Sequence, residues 1–139
     1  MLFKRILVID HVEKFRDALV TILFVEGYHA IGAGSFTEAM DMLKKREFNM
    51  VIMEFEKFTN AECSSFLSWV KRYKPGVLVI IMGDQPSLKY KDQSLEEIVD
   101  GYVWKPLQIE DVRRIIGFVR STADHASEMS VKTLQDSLN

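Results

Sequence analysis

Short apolar runs alternate with amphipathic stretches along this chain, and that alternation restricts its fold more than any other feature. The runs are 4–9, 28–33, 49–54, 77–82 and 101–104. Ile6-Leu7-Val8-Ile9, Met50-Val51-Ile52-Met53 and Val77 to Met82 are continuous rather than alternating, as expected of strands buried on both faces. The intervals carry helical spacing. Phe15, Leu19, Ile22 and Leu23 form one stripe in 13–26, and Phe36, Ala39, Met40 and Leu43 another in 36–46. Phe66, Leu67, Trp69 and Val70 give a third in 61–73, with 88–99 a weaker helix and 108–120 a final amphipathic one. The punctuation agrees. Gly27 stands where a helix C-cap glycine belongs, Ser35 with Glu38 reads as a capping box, and Pro75-Gly76 closes the third helix.

The order βαβαβαβαβα implies a parallel sheet wrapped by helices on both faces. Five strands in about 105 residues suit a flavodoxin-like (βα)5 three-layer sandwich with parallel sheet order 2-1-3-4-5; a barrel needs roughly twice the length. Residues 1–120 are expected to form this one domain. From Ser121 to Asn139 the chain turns polar, with Val131, Leu134 and Leu138 at helical spacing. That segment reads as an extension of the last helix or a mobile tail.

Several function classes lose support. A formal net charge of -2 gives no electrostatic case for nucleic acid or an anionic membrane. No stretch approaches the roughly 18 to 20 apolar residues that span a bilayer, so the expected location is cytoplasmic. Cys63 is the only cysteine, which excludes an internal disulfide and a multi-thiolate zinc site. His11, His29 and His125 are scattered and suggest no metal triad. Gly32-Ala33-Gly34-Ser35 lacks the spacing of a phosphate-cradling loop and reads as a tight turn.

What remains is the carboxyl edge of the sheet, where ligands bind in open α/β folds. Asp10 ends the first run, Glu54 the third and Lys105 the fifth, with Gly83 and Asp84 after the fourth. The segments 6–11, 49–54, 79–84 and 101–106 resemble the response-regulator receiver domain of two-component signalling, over residues 4 to about 120. In that family an acidic pair ends the first strand and a phosphoacceptor aspartate the third. A Ser or Thr ends the fourth, Lys-Pro follows the fifth, and an aromatic lies three residues before the lysine. Asp10, Tyr102, Lys105 and Pro106 match this pattern. His11 stands at the second acid, Glu54 at the acceptor, Gly83 at the hydroxyl residue and Asp84 at the small residue after it.

These departures carry physical consequences. Phosphoryl transfer depends on positioning and on neutralising the transferring group, which a receiver does with Mg²⁺. The family's three carboxylates against one lysine give a formal charge of about -2, whereas Asp10 and Glu54 against Lys105 give -1. Imidazole is a poor magnesium ligand. The extra methylene of Glu54 moves its oxygens about 1.5 Å outward, and a misplacement of about 1 Å can cost roughly 100-fold in rate. At Gly83 no hydroxyl is available to hold a phosphoryl oxygen.

The resulting expectation is a pseudo-receiver, not an enzyme. It has no catalytic residue, no resident cofactor, weak Mg²⁺ binding at most, and Glu54 paired directly with Lys105. Asp84 is a second candidate partner for Lys105, or a rival acid in the degenerate pocket with Asp10 and His11. The resemblance implies a signalling partner, namely a histidine kinase, a phosphotransfer protein or an output protein. It also implies a possible homodimer through the fourth helix, fifth strand and fifth helix, where Tyr102 and Trp104 lie. Val12, Phe15 and the start of the first helix form another candidate docking face. Two alternatives stay open: a phosphorylatable single-domain regulator using Glu54, and a small flavodoxin-like ligand-binding domain.

Overall fold

The computed structural model describes residues 4–54, 60–83, 99–104, 108, 110–115 and 117. Its elements are β1 (Arg5–Ile9), α1 (Glu13–Val25), β2 (His29–Ala33), α2 (Phe36–Lys45), β3 (Met50–Glu54), α3 (Asn60–Tyr73), β4 (Leu78–Gly83) and β5 (Gly101–Trp104). Residues 110–115 are also helical. The strands form a single sheet of order β2-β1-β3-β4-β5, with every pairing parallel. This is the order expected from the sequence.

The continuous apolar runs are explained by two cores, one on each face. Leu7, Ile9, Val51, Met53, Val79, Ile81 and Tyr102 pack with Ala39 and Leu43 of α2 and Phe66, Leu67 and Val70 of α3. Their neighbours Ile6, Val8, Met50, Ile52, Ile80, Met82 and Val103 pack with Leu19 and Leu23 of α1 and with Val112 and Ile115. Because successive strand side chains point to opposite faces, a strand covered on both sides must be apolar at every position.

The helix ends follow local chemistry. Gly27 has φ +96°, the left-handed conformation that lets the chain leave α1 and enter β2. Ser35 accepts the Glu38 backbone N–H at 3.1 Å, as a helix N-cap should. Glu38 then accepts from Gly34 N–H at 3.0 Å, so the return bond reaches one residue further back than a capping box requires.

Besides shifts of one residue at other element ends, three details differ from the sequence reading. β4 begins at Leu78 rather than Val77, because Val77 N–H closes the preceding turn on the Lys74 carbonyl at 3.1 Å. Val99 is outside any helix. Asp100 beside it already pairs with β4: its N–H donates to the Val79 carbonyl at 2.8 Å, and its Oδ2 accepts from Val79 N–H at 2.7 Å. Phe15, expected on the buried stripe of α1, is 55% exposed. It lies in the first turn, at the carboxyl edge, where little sheet remains to cover it. The greater part of the weak helix 88–99 and the whole tail 121–139 lie outside the described residues.

Candidate functional site

Strand parity and register build the site before any side-chain detail is needed. Asp10 continues the series Ile6, Val8, and Glu54 continues Met50, Ile52, so both belong to the face that α1 covers. Ile9 pairs with Met53, which sets Asp10 and Glu54 side by side at the ends of adjacent central strands. Both are buried, Asp10 at 1% exposure and Glu54 at 0%, and they are the only polar residues in the core among the described residues. Two carboxylates there require compensation from neighbouring groups.

Among the described residues, compensation comes from the first βα connection. His11 Nδ1 lies 2.8 Å from Glu54 Oε2 and 3.6 Å from Asp10 Oδ1. An ionised carboxylate only accepts, so the His11 Nδ1–H donates to Glu54. Asp10 Oδ1 accepts the Val12 backbone N–H at 2.9 Å. That contact supplies the N-terminus of α1 with an acceptor that the Val12 side chain cannot provide. Arg16, one turn into α1, donates from Nη1 to the Asp10 carbonyl at 3.0 Å.

Gly32 and Gly34 make room for that arginine. A Cβ at Gly32 would meet Arg16 Cγ and Cδ at 2.9 Å, and one at Gly34 would meet Nη1 at 3.0 Å. The glycine pair therefore serves the packing of Arg16 as well as the turn.

Cys63, near the start of α3, is buried in the core. Burial pushes its thiol up to about 12, and the charges of Glu62 and Glu54 add to the effect. Such a thiol is inert at neutral pH.

Of the residues singled out in the sequence, Asp10, His11 and Glu54 come together. Gly83 is buried as the last residue of β4, opposite Trp104. Tyr102 is only 3% exposed, in the α2–α3 core, and Trp104 packs against the same core. Asp84, Lys105 and Pro106 lie outside the described residues, and with them the expected Glu54–Lys105 ion pair. Sequence reasoning noted His11 as a departure but did not find it as the partner of Glu54, 43 residues away. It missed Arg16 too, whose only signal was the pair of small residues at 32 and 34.

The model of the response regulator receiver domain family matches residues 6–117. The chain belongs to that family. No curated protein matches this receiver domain. Among solved structures it is similar to a CheY-like receiver domain protein of Methanospirillum hungatei JF-1, with 25% identity and TM-score 0.78 over 90% of this chain and 100% of that one. It is similar in fold to a receiver domain protein of Clostridium thermocellum, at 21% identity and TM-score 0.74, covering 88% of this chain and 98% of the other. The response regulator TrrA of Thermotoga maritima, solved in complex with Mg²⁺-BeF, matches at 23% identity and TM-score 0.72, over 84% and 99% of the two chains. In this receiver the carboxyl edge of the sheet carries two buried acids bridged by an imidazole.

Proposed function

We propose that this receiver is an atypical one: a protein-interaction module in two-component or phosphorelay signalling that is not phosphorylated at its third strand and is not an enzyme. The observation that carries this reading is the 2.8 Å contact between His11 Nδ1 and Glu54 Oε2. The carboxylate at the acceptor position is longer than an aspartate, fully buried, and already engaged by a neighbouring side chain. An attacking oxygen must be held within about 3.5 Å of phosphorus and in line with the leaving group, and that contact directs Oε2 elsewhere.

Mg²⁺ fits this donor set poorly. It takes oxygen ligands in near-octahedral geometry and keeps several waters, whereas here an imidazole nitrogen stands between the two carboxylates. With Gly83 ending β4, the buried edge lacks a hydroxyl there to hold a phosphoryl oxygen.

Output then passes through a partner of the kind receivers engage, a histidine kinase, a phosphotransfer protein or an output protein, in the cytoplasm. Among the described residues no helix is long and apolar enough to cross a membrane. Two faces suit such a partner. One is the start of α1, where Phe15 is half exposed, and the other is the β5 edge with Trp104, which would also serve a homodimer.

The test is treatment of the full chain with acetyl phosphate and Mg²⁺, followed by intact-mass measurement. The expected result is an unchanged mass. A stable adduct of about 80 Da mapped to Glu54 would establish a phosphorylatable regulator instead.

A further inference from the structure

The Asp10–His11–Glu54 cluster poorly suits Mg²⁺ for the same reason that it suits another class of cation. One ligand atom from each of these residues lies within 4.8 Å of the others. We propose that the three side chains form a binding site for a borderline divalent transition-metal ion of the Zn²⁺ and Co²⁺ type, with His11 Nδ1 as its nitrogen ligand. The proposal goes beyond the signalling reading and does not depend on whether Glu54 accepts phosphate.

Distances support it first. Zinc-type ions bind His nitrogen and carboxylate oxygen at about 2.0–2.2 Å, so neighbouring ligand atoms in a tetrahedral site stand about 3.4 Å apart. The His11–Glu54 and His11–Asp10 separations are 2.8 and 3.6 Å, on either side of that value. The remaining Asp10–Glu54 edge, within 4.8 Å, closes with side-chain movements on the order of 1 Å.

Charge supports it next. Two carboxylates that are 99% or more buried favour a cation beside them, and a divalent ion offsets their charge. Neutral imidazole favours Zn²⁺, Co²⁺ and Ni²⁺ over Mg²⁺, and it is the residue type that separates this donor set from an all-oxygen one.

The surroundings are also those of a ligand set. Asp10 is oriented by Val12 N–H, and the main chain next to it by Arg16, as outer-shell contacts orient metal ligands. His11 is 36% exposed, which leaves an entry side from solvent and room for water to complete the coordination. A metal ion at Nδ1 takes the place of the proton there, and the bound neutral ring carries its single proton on Nε2.

Cobalt is the direct probe. Co²⁺ titrated into the full chain is expected to give a saturable, one-to-one visible absorption band that Zn²⁺ abolishes and that equimolar Mg²⁺ leaves untouched. His11→Gln, at a partly exposed position, should weaken Co²⁺ binding at least about tenfold, the lower end of what even outer-shell changes cost. Circular dichroism checks that this variant folds. Independently of any variant, Zn²⁺ should shift the Nδ1 resonance of His11 in nitrogen-15 spectra of the natural chain and leave His29 in place. Absence of a saturable band, a band unchanged in His11→Gln, an unmoved His11 resonance, or equal competition by Mg²⁺ would each overturn the assignment.

Discussion

Removing the imidazole from between the two buried acids gives the sharpest test of how this site is held together. The nearest ligand oxygens of Asp10 and Glu54 lie within 4.8 Å of each other. At an effective dielectric constant near 20, two unit charges at that separation repel by about 3.5 kcal/mol. In the native chain His11 offsets part of this by donating to Glu54 Oε2 at 2.8 Å. A hydrogen bond to a charged group contributes about 1.5–3 kcal/mol. Because the His11 side chain is 36% exposed, water screens the bond, and the lower half of that range applies.

His11→Ala is therefore expected to lower the unfolding free energy at pH 7 by about 2 kcal/mol, or roughly 8 °C in Tm for a chain of this size. The urea m-value should stay unchanged, since the exposed surface hardly differs. Much of the cost comes from the charge left on Glu54, so Glu54→Gln should restore most of the loss in the His11→Ala background. The coupling in the double-mutant cycle should be about 1.5 kcal/mol. A coupling under about 0.5 kcal/mol, within ordinary additivity error, would refute the argument. It would mean that the imidazole does not compensate Glu54.

Three further outcomes follow from other parts of the fold. Cys63, pushed up to about 12 by burial and the nearby acids, should resist iodoacetamide at pH 7.5 in the native state. It should label only at the rate of unfolding, which mass spectrometry across a urea series would read. Burial raises the Asp100 carboxyl above its ordinary value, while Val79 N–H and Lys71 pull it the other way. The unfolded chain thus ionises first; the penalty is complete above the folded pKa and is relieved as pH falls toward the unfolded value near about 3.9. Asp100→Asn keeps an acceptor for Val79 N–H and should raise the urea midpoint at pH 7, with the gain shrinking by pH 4. At Gly27, where φ is +96°, substitution by alanine should cost about 1–2 kcal/mol, seen as a loss of several degrees in Tm.

How far the fold was legible differs between elements for physical reasons. The strands could be read because each is buried on two faces, so a run such as Ile6 to Ile9 or Leu78 to Met82 is apolar at every position. α2 could be read because its apolar stripe coincides with a cap, Ser35, that does bond the Glu38 N–H. Phe15 misled because helical periodicity marks a face without saying where the sheet ends beneath it. The Val99–Asp100 boundary was missed because Asp100 pairs with Val79 through its side-chain carboxylate as well as its backbone N–H, and helical periodicity does not show such a contact.

The candidate site divides along the same line. That Asp10 and Glu54 stand at one edge follows from the sequence alone, since strand order and parity are set by hydrophobic burial and by the handedness of parallel crossovers. Tertiary structure decided what those acids do to each other. The direction of a side chain in the βα connection depends on contacts made far along the chain, and no local pattern encodes it. His11 thus read as a gap in an acidic pair. In the folded receiver its Nδ1 sits within 3.6 Å of both carboxylates, because two buried charges on adjacent strands draw the nearest donor between them.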